Sequence, residues 1–215
     1  MMDYIKNTFK IRNTGMKKIL CLAILLFSTQ VLAQTADDLS KIENYLNNMQ
    51  TLEASFVQMA SNGTTSEGKL YISKPSKIRM EYAPPTSVLI VGNGDYVVFN
   101  DKELDQITNI DYEDIPATMI LSNKIKIDNK NLKVVDFYKD NGTTSVTLEY
   151  AKSADVGPIT LVFSNYPFEL KQWKIIDPQS IEVTLSLYDA QKDVKLDDEL
   201  FKFAKTQKRN KRRRK

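Results

Sequence analysis

The chain has 215 residues, of which 42% are hydrophobic and 27% are charged, and this composition is typical of a soluble globular domain. It has no histidine and one cysteine, so it excludes Ser-His-Asp hydrolases, HExxH zinc enzymes, Cys-His nucleophiles and structural zinc sites, which need imidazoles or several thiolates. The formal charge of +3 is unevenly distributed: residues 34–204 carry 17 basic and 26 acidic side chains, a net −9 that argues against a folded nucleic-acid-binding surface.

Residues 1–33 have the pattern of an N-terminal extension followed by a secretory signal. Met16 and two lysines precede an apolar run from Ile19 to Phe27, and a Val-x-Ala exit ends at Ala33. The run is shorter than the roughly 20 residues that span a bilayer, which disfavours a membrane anchor. We therefore expect the signal to start at Met16 and to be cleaved after Ala33. The remaining chain has no cysteine, and export without disulfides favours a bacterial cell envelope over a small secreted scaffold.

The segment from Thr35 to Met49 predicts an amphipathic helix. Its apolar residues recur at steps of three and four, at Leu39, Ile42, Leu46 and Met49. A helix of this length is marginal alone, so its apolar stripe must pack on another apolar surface.

After this helix the hydrophobic period changes to two, which predicts strands. Turn signals such as Asn93-Gly94 and Asn141-Gly142 separate the runs. The runs are Ser55 to Met59, Lys69 to Ser73, Lys77 to Tyr82, Val88 to Val91, Tyr96 to Asn100, Gln106 to Ile110, Leu132 to Tyr138, Ser145 to Tyr150, Ile159 to Phe163, Leu170 to Ile176 and Ser180 to Tyr188.

One interruption, from Tyr112 to Asn123, does not alternate and contains Pro116 after several acidic residues, which predicts a short helix. The chain is thus mainly β, with about ten or eleven antiparallel strands. We expect a barrel or strongly curved sheet whose concave face is covered by two helices, in one domain over residues 34–204.

The strand pair from Leu70 to Tyr82 has one apolar face that contains a single lysine, Lys74. The apolar members of this face are Leu70, Ile72, Ile78, Met80 and Tyr82. The sequence alone favours ordinary core. The alternative is a cavity lining, in which Lys74 bonds backbone carbonyls of whatever covers it. Adaptable methionines, among them Met49 and Met80, suit such a cavity.

The segment 205–215 is a basic tail with eight basic and no acidic side chains, and its like charges predict disorder. Three interpretations remain open. The tail binds anionic phospholipid headgroups, it binds nucleic acid, or it is a solvated end without a partner. The export signal disfavours nucleic acid.

Two acidic groups are the best candidates for catalysis or a hard cation: Asp111, Glu113 and Asp114, and Asp197, Asp198 and Glu199. Charges at a helix start and solvated turns explain both groups more simply. We expect no enzyme activity, no metal and no cofactor.

Several ordered motifs resemble those of the outer-membrane lipoprotein carrier family, the LolA-like periplasmic lipoprotein chaperones. The motifs are Leu52-Glu53-Ala54-Ser55-Phe56-Val57-Gln58, Gly68-Lys69-Leu70-Tyr71-Ile72-Ser73-Lys74-Pro75, Arg79-Met80-Glu81-Tyr82-Ala83-Pro84-Pro85, Leu89-Ile90-Val91-Gly92-Asn93-Gly94 and Val97-Val98-Phe99-Asn100. The resemblance implies an incomplete β-barrel with a hydrophobic cavity and a helical lid.

The resemblance also implies a function and a site. Such proteins take acylated lipoproteins from an ATP-driven (ABC-type) inner-membrane releasing complex and pass them to an outer-membrane acceptor; we expect this chain to do so as a monomer. Lys74 matches a basic latch residue, usually arginine in this family, that binds backbone carbonyls of the lid. The implied lid and latch partners are Leu46, Met49, Ile120 and Leu121, and the implied cavity lining adds Ile90 to the apolar face. The alternative function is a phospholipid or glycolipid carrier, or a lipid-sensing envelope domain, on the same fold.

Overall fold

The computed structural model describes residues 35–151, 156–177 and 179–203. The predicted signal with its cleavage after Ala33 and the basic tail at 205–215 lie outside these residues. Internal contacts divide the chain into the units Met1–Ile42 and Glu43–Lys215. Residues 35–42 are helical in the first unit, and residues 43–48 are helical in the second. Among the described residues, no helix is long and apolar enough to cross a membrane.

The second unit contains one sheet of eleven antiparallel strands, and the prediction of an incomplete antiparallel barrel is confirmed. The strands lie in the order β6-β5-β4-β3-β2-β1-β11-β10-β9-β8-β7, so β6 and β7 are its two edges. The bounds are β1 Thr51–Ala60, β2 Thr65–Ser73, β3 Lys77–Tyr82, β4 Val88–Asn93, β5 Tyr96–Asp101, β6 Gln106–Asp111, β7 Leu132–Lys139, β8 Thr143–Tyr150, β9 Ile159–Asn165, β10 Phe168–Ile176 and β11 Glu182–Lys192.

The register brings apolar side chains to one face of this sheet. Ile72 pairs with Ile78, Leu70 pairs with Met80, and Met80 in turn pairs with Ile90. Because side chains alternate along a strand and paired residues share a face, these residues form one row across β2, β3 and β4. We call this side of the sheet the apolar face.

The predicted helix from Tyr112 to Asn123 is wrong in detail: the structure has two short 3-10 helices, Tyr112–Asp114 and Pro116–Leu121. Ile115 between them is extended, with φ −115° and ψ 112°. Proline disfavours the helical conformation in the residue before it, so Pro116 ends the first helix and starts the second.

A third 3-10 helix, Asp198–Phe201, lies against β3 and β4 on the side opposite the apolar face. There Arg79 donates to the Leu200 carbonyl at 2.9 Å, and Lys77 pairs with Asp198 at 2.8 Å. Phe201 is buried. We call this helix with its flanking residues Asp197 and Lys202 the C-terminal clip. It was not among the elements predicted from the sequence.

Candidate functional site

The predicted cavity residues form the apolar face, and most of them are buried. Leu70 and Ile72 are 0% exposed, and Ile78 and Met80 are each 7% exposed. Ile90, on the next strand, is half-buried. Burial of this face in an open sheet means that other parts of the chain cover it.

Tyr82 is the last residue of β3 and lies on the same face of the strand as Ile78 and Met80. Its hydroxyl donates to the side-chain carbonyl of Gln58 at 2.7 Å, and its ring meets Phe56 edge to face at 5.1 Å. Burial raises the pKa of Tyr82 to about 12. The phenol therefore stays a neutral donor at physiological pH, and it satisfies its polar end inside an apolar wall.

Lys74 lies at the end of this face, just after β2, and is half-buried. Its ammonium donates to the backbone carbonyl of Leu46 at 2.6 Å, while its own N–H donates to the Gln50 carbonyl at 2.8 Å. Burial lowers the pKa of Lys74 from 10.5 to about 8. The side chain thus joins the β2–β3 turn to the residues that lead into β1.

The carbonyl of Leu121, a second expected partner of Lys74, is held by a different donor. The backbone N–H of Ser76, two residues after Lys74, donates to it at 3.0 Å. The carbonyl of Ser76 in turn accepts from the Tyr112 hydroxyl. Sequence reasoning missed Ser76, since a backbone donor leaves no mark in a sequence pattern. Ser76 has a φ of 63°, a left-handed conformation uncommon for a residue with a side chain.

Glycine is required where Tyr112 meets the sheet. A Cβ at Gly92 would lie 2.2 Å from the Tyr112 hydroxyl oxygen. The hydroxyl can therefore reach the β2–β3 turn only because Gly92 has no side chain.

The segment 116–127, which we call the lid, is also tied to the helical residues 43–48. The side-chain amide of Asn47 donates to the Ile125 carbonyl at 2.9 Å and accepts from the Ile125 N–H at 2.7 Å. Glu43 accepts from the Ile127 N–H at 2.7 Å and pairs with Lys126 at 3.0 Å. The lid contributes the buried side chains Met119, Ile120, Leu121, Ile125 and Ile127.

The same helical residues pack on the far half of the sheet. Tyr45 meets the rings of Phe163 and Phe168 edge to face at 5.5 and 5.9 Å, and the Lys192 ammonium lies 4.3 Å from its ring centre. Leu46 and Met49, both expected lid residues, are buried. Residues 43–49 and the lid thus connect the β2–β3 turn to strands β9 to β11.

Two clefts open near the sheet, and neither is lined by the predicted cavity residues. The larger has a volume of about 470 Å³ and is lined by Ser76, Gly94, Tyr112, Glu113, Thr118, Ser122, Asn131 and Tyr150. We call it the seam cleft. The other, of about 330 Å³, is lined by Val57, Thr65, Ser66, Glu67, Ala83, Pro84, Pro85 and Thr86.

The acidic group in the C-terminal clip serves local structure. Asp197 accepts from the Glu199 N–H at 3.0 Å, Asp198 pairs with Lys77, and Glu199 pairs with Lys202. The hydrogen bond from Lys77 lowers the pKa of Asp198. Over the described ranges, no group of three or more His, Cys, Asp or Glu side chains is placed to hold a metal ion.

Comparison with known proteins decides the family. The family model described as "Outer membrane lipoprotein carrier protein LolA" matches residues 47–204. The chain belongs to the LolA family. This match includes every strand, the lid and Lys74, so the sequence-based resemblance is confirmed.

Individual relatives share modest sequence identity with this LolA-family chain. An uncharacterised protein of Rickettsia prowazekii is 28% identical over 191 residues, covering 87% of this chain and 88% of that protein. An outer-membrane lipoprotein carrier protein of Dechloromonas aromatica is 34% identical over 87 residues, or 38% of this chain and 42% of the relative. The crystal structure of a LolA superfamily protein from Nitrosomonas europaea aligns with a TM-score of 0.46 at 7% identity, covering 76% of this chain and 97% of that one.

Proposed function

We propose that the protein is a periplasmic carrier that binds the acyl chains of lipoproteins on its apolar face. It takes them from an ABC-type releasing complex in the inner membrane to an acceptor in the outer membrane. The observation that carries the proposal is a continuous apolar face that is buried although the sheet is open, together with a buried apolar segment, the lid, that is not part of the sheet. Relatives named outer-membrane lipoprotein carrier protein support the same cargo class.

The energetics of the lid suit repeated loading and release. Moving one acyl chain of ~15 methylenes into water costs about 12 kcal/mol at ~0.8 kcal/mol per methylene. Burying the five apolar lid side chains recovers about 2 kcal/mol each, or about 10 kcal/mol in all. The lid therefore replaces the acyl chain on the apolar face at nearly equal free energy. Release to a receptor needs no further energy source, and the proposed function needs no catalysis.

Substitutions on the two faces of one strand test the binding surface. Ile90 lies on the apolar face of β4, and Leu89, which is also half-buried, lies on the opposite face. We expect Ile90→Asn to weaken binding of a fluorescent acylated lipopeptide about tenfold, because it removes apolar contact worth about 1.4 kcal/mol. Leu89→Asn is the matched control and should bind like the wild type, with circular dichroism checking the fold of both.

Two results would contradict the proposal. One is equal binding of the lipopeptide and the same peptide without acyl chains. The other is equal weakening by both substitutions, which would place the acyl chain elsewhere. Preference for a phospholipid over the lipopeptide would favour the alternative of a lipid carrier or sensor.

A further inference from the structure

The seam cleft lies where the open sheet fails to close. Tyr112 and Glu113 directly follow the edge strand β6, Asn131 directly precedes the other edge strand β7, and Tyr150 ends β8. The cleft therefore spans the gap between the two edges of the sheet, next to the lid.

Four polar side chains of this cleft have hydrogen-bonding groups that no described residue occupies. Glu113, Ser122, Asn131 and Tyr150 make no side-chain hydrogen bond to any other residue that the structure describes. Burial and the nearby Glu113 carboxylate raise the pKa of Tyr150, so its hydroxyl remains a donor. The cleft thus offers both donors and acceptors to a ligand from two sides.

The lining also restricts the class of ligand. Among the residues that the structure describes, the lining contains one carboxylate, on Glu113, and no lysine or arginine. Phosphate recognition in proteins uses cationic side chains or helix N-termini, so a phosphate-bearing headgroup is poorly matched to this lining. A neutral or positively charged ligand rich in amide groups, such as an extended peptide, fits the available donors and acceptors.

We propose that the seam cleft binds the peptide segment that directly follows the acylated residue of the cargo. This inference rests on the proposed carrier function. Thr118 and Ser122 belong to the lid, and Ser76 belongs to the turn that binds the lid, so the cleft adjoins the segment that an acyl chain would displace under the proposed function. The smaller cleft contains none of these residues.

The single carboxylate makes the cleft selective. Glu113 attracts a lysine in the bound peptide and repels a glutamate, because it carries the single formal charge among the described residues of the lining. Since Glu113 is exposed, the preference is modest.

A panel of synthetic lipopeptides that carry the same single acyl chain tests the inference on the full chain. We expect about two- to fivefold tighter binding when the peptide carries lysines rather than glutamates. Glu113→Gln should abolish this preference. Glu67→Gln, which removes the single carboxylate from the smaller cleft, should keep it. Asn131→Trp, which fills the seam cleft, should weaken all lipopeptides but not a fatty acid of the same length.

Any of the following results would overturn the inference. Equal binding of the lysine and glutamate lipopeptides by the wild type would show that the peptide does not bind in the seam cleft. Loss of the preference for lysine in both Glu113→Gln and Glu67→Gln would show the same. If Asn131→Trp instead weakens only an acyl-matched phospholipid, the cleft binds a lipid headgroup. Fatty-acid binding without peptide dependence rejects this site and leaves the carrier function standing, whereas failure of every acylated ligand to bind rejects both.

Discussion

At the scale of single residues, the β2–β3 turn binds the helical residues 43–48 and the lid through chemically different groups. Lys74 binds the Leu46 carbonyl with its charged side chain, Ser76 binds the Leu121 carbonyl of the lid with its backbone N–H, and Tyr112 binds the turn from the other side. Arginine would present a planar fork of donors, whereas the lysine ammonium has three donors on a flexible stem. The Lys74 side chain binds one of the two expected carbonyls, that of Leu46, and the Ser76 backbone N–H binds the other, that of Leu121.

Removal of the Lys74 ammonium should loosen residues 43–48 and, through their bonds to Ile125 and Ile127, the lid. Lys74→Leu leaves the Leu46 carbonyl without its donor, and a hydrogen bond to a charged group contributes about 1.5 kcal/mol. We expect amide hydrogen exchange at Leu46 and Ile120 to become about tenfold faster. Lys69→Leu is the control, because among the described residues the Lys69 ammonium donates to the Ser55 hydroxyl of the neighbouring strand and to no residue of the lid. Unchanged amide exchange at Leu46 and Ile120 in Lys74→Leu would show that Lys74 does not contribute to closure of the lid.

Closure of the lid should also depend on pH. The pKa of Lys74 is about 8 in the closed structure, and it returns toward 10.5 when the lid opens and solvates the ammonium. Between these values the open state binds more protons, so rising pH favours the closed state. Amide hydrogen exchange in the lid, corrected for the rise of the intrinsic exchange rate with pH, should slow as the pH rises from about 7 to about 10.

The arginine variant is the control for this titration. Lys74→Arg remains charged throughout the range and should show no such slowing. The same slowing in both proteins would assign the effect to another group.

At this scale the sequence predicts charged side chains better than backbone contacts. Lys74 stands out because it is the single lysine in an apolar row, and the structure places its ammonium on a backbone carbonyl. Ser76 and Asn47 carry no comparable signal, since serine and asparagine are ordinary in turns and helix ends. Their importance follows only from which backbone groups the fold brings to them.

At the scale of elements, all eleven strands were predictable because period-two alternation and turn residues mark each one. The single helix expected over 112–123 is instead two short 3-10 helices, because the extended residue before Pro116 divides it. The C-terminal clip was missed, since four residues are too few to show a period. Short elements that depend on tertiary contacts therefore limit prediction from this sequence.

The lid depends on Asn47 for two hydrogen bonds to one residue of the lid. Asn47→Ala removes both and leaves the partly buried N–H and carbonyl of Ile125 without that partner, at a cost of about 2 kcal/mol to the closed state. We expect hydrogen exchange at Ile125 and Ile127 to become about thirtyfold faster.

The matched control is Asn109→Ala on the exposed edge strand β6, which should not affect the lid. An Asn47→Ala protein with wild-type exchange at Ile125 would show that apolar burial alone holds the lid.

At the scale of the whole molecule, the incomplete barrel exposes two sheet edges and needs a cover for its apolar face. Family membership, the lid contacts and the proposed acyl-binding face are consistent with one design, in which the lid side chains and an acyl chain compete for the same surface. This competition predicts that ligand binding and lid exchange are coupled.

Native mass spectrometry with lipid extraction tests the carrier function most directly. The mature protein would be purified from the periplasm of cells that make a labelled lipoprotein and an active releasing complex, beside a labelled cargo that cannot be acylated. We expect a one-to-one complex with the intact acylated protein and none with the non-acylated cargo. Phospholipid alone in the extracted protein, or equal binding of both cargoes, would contradict a carrier of acylated lipoproteins.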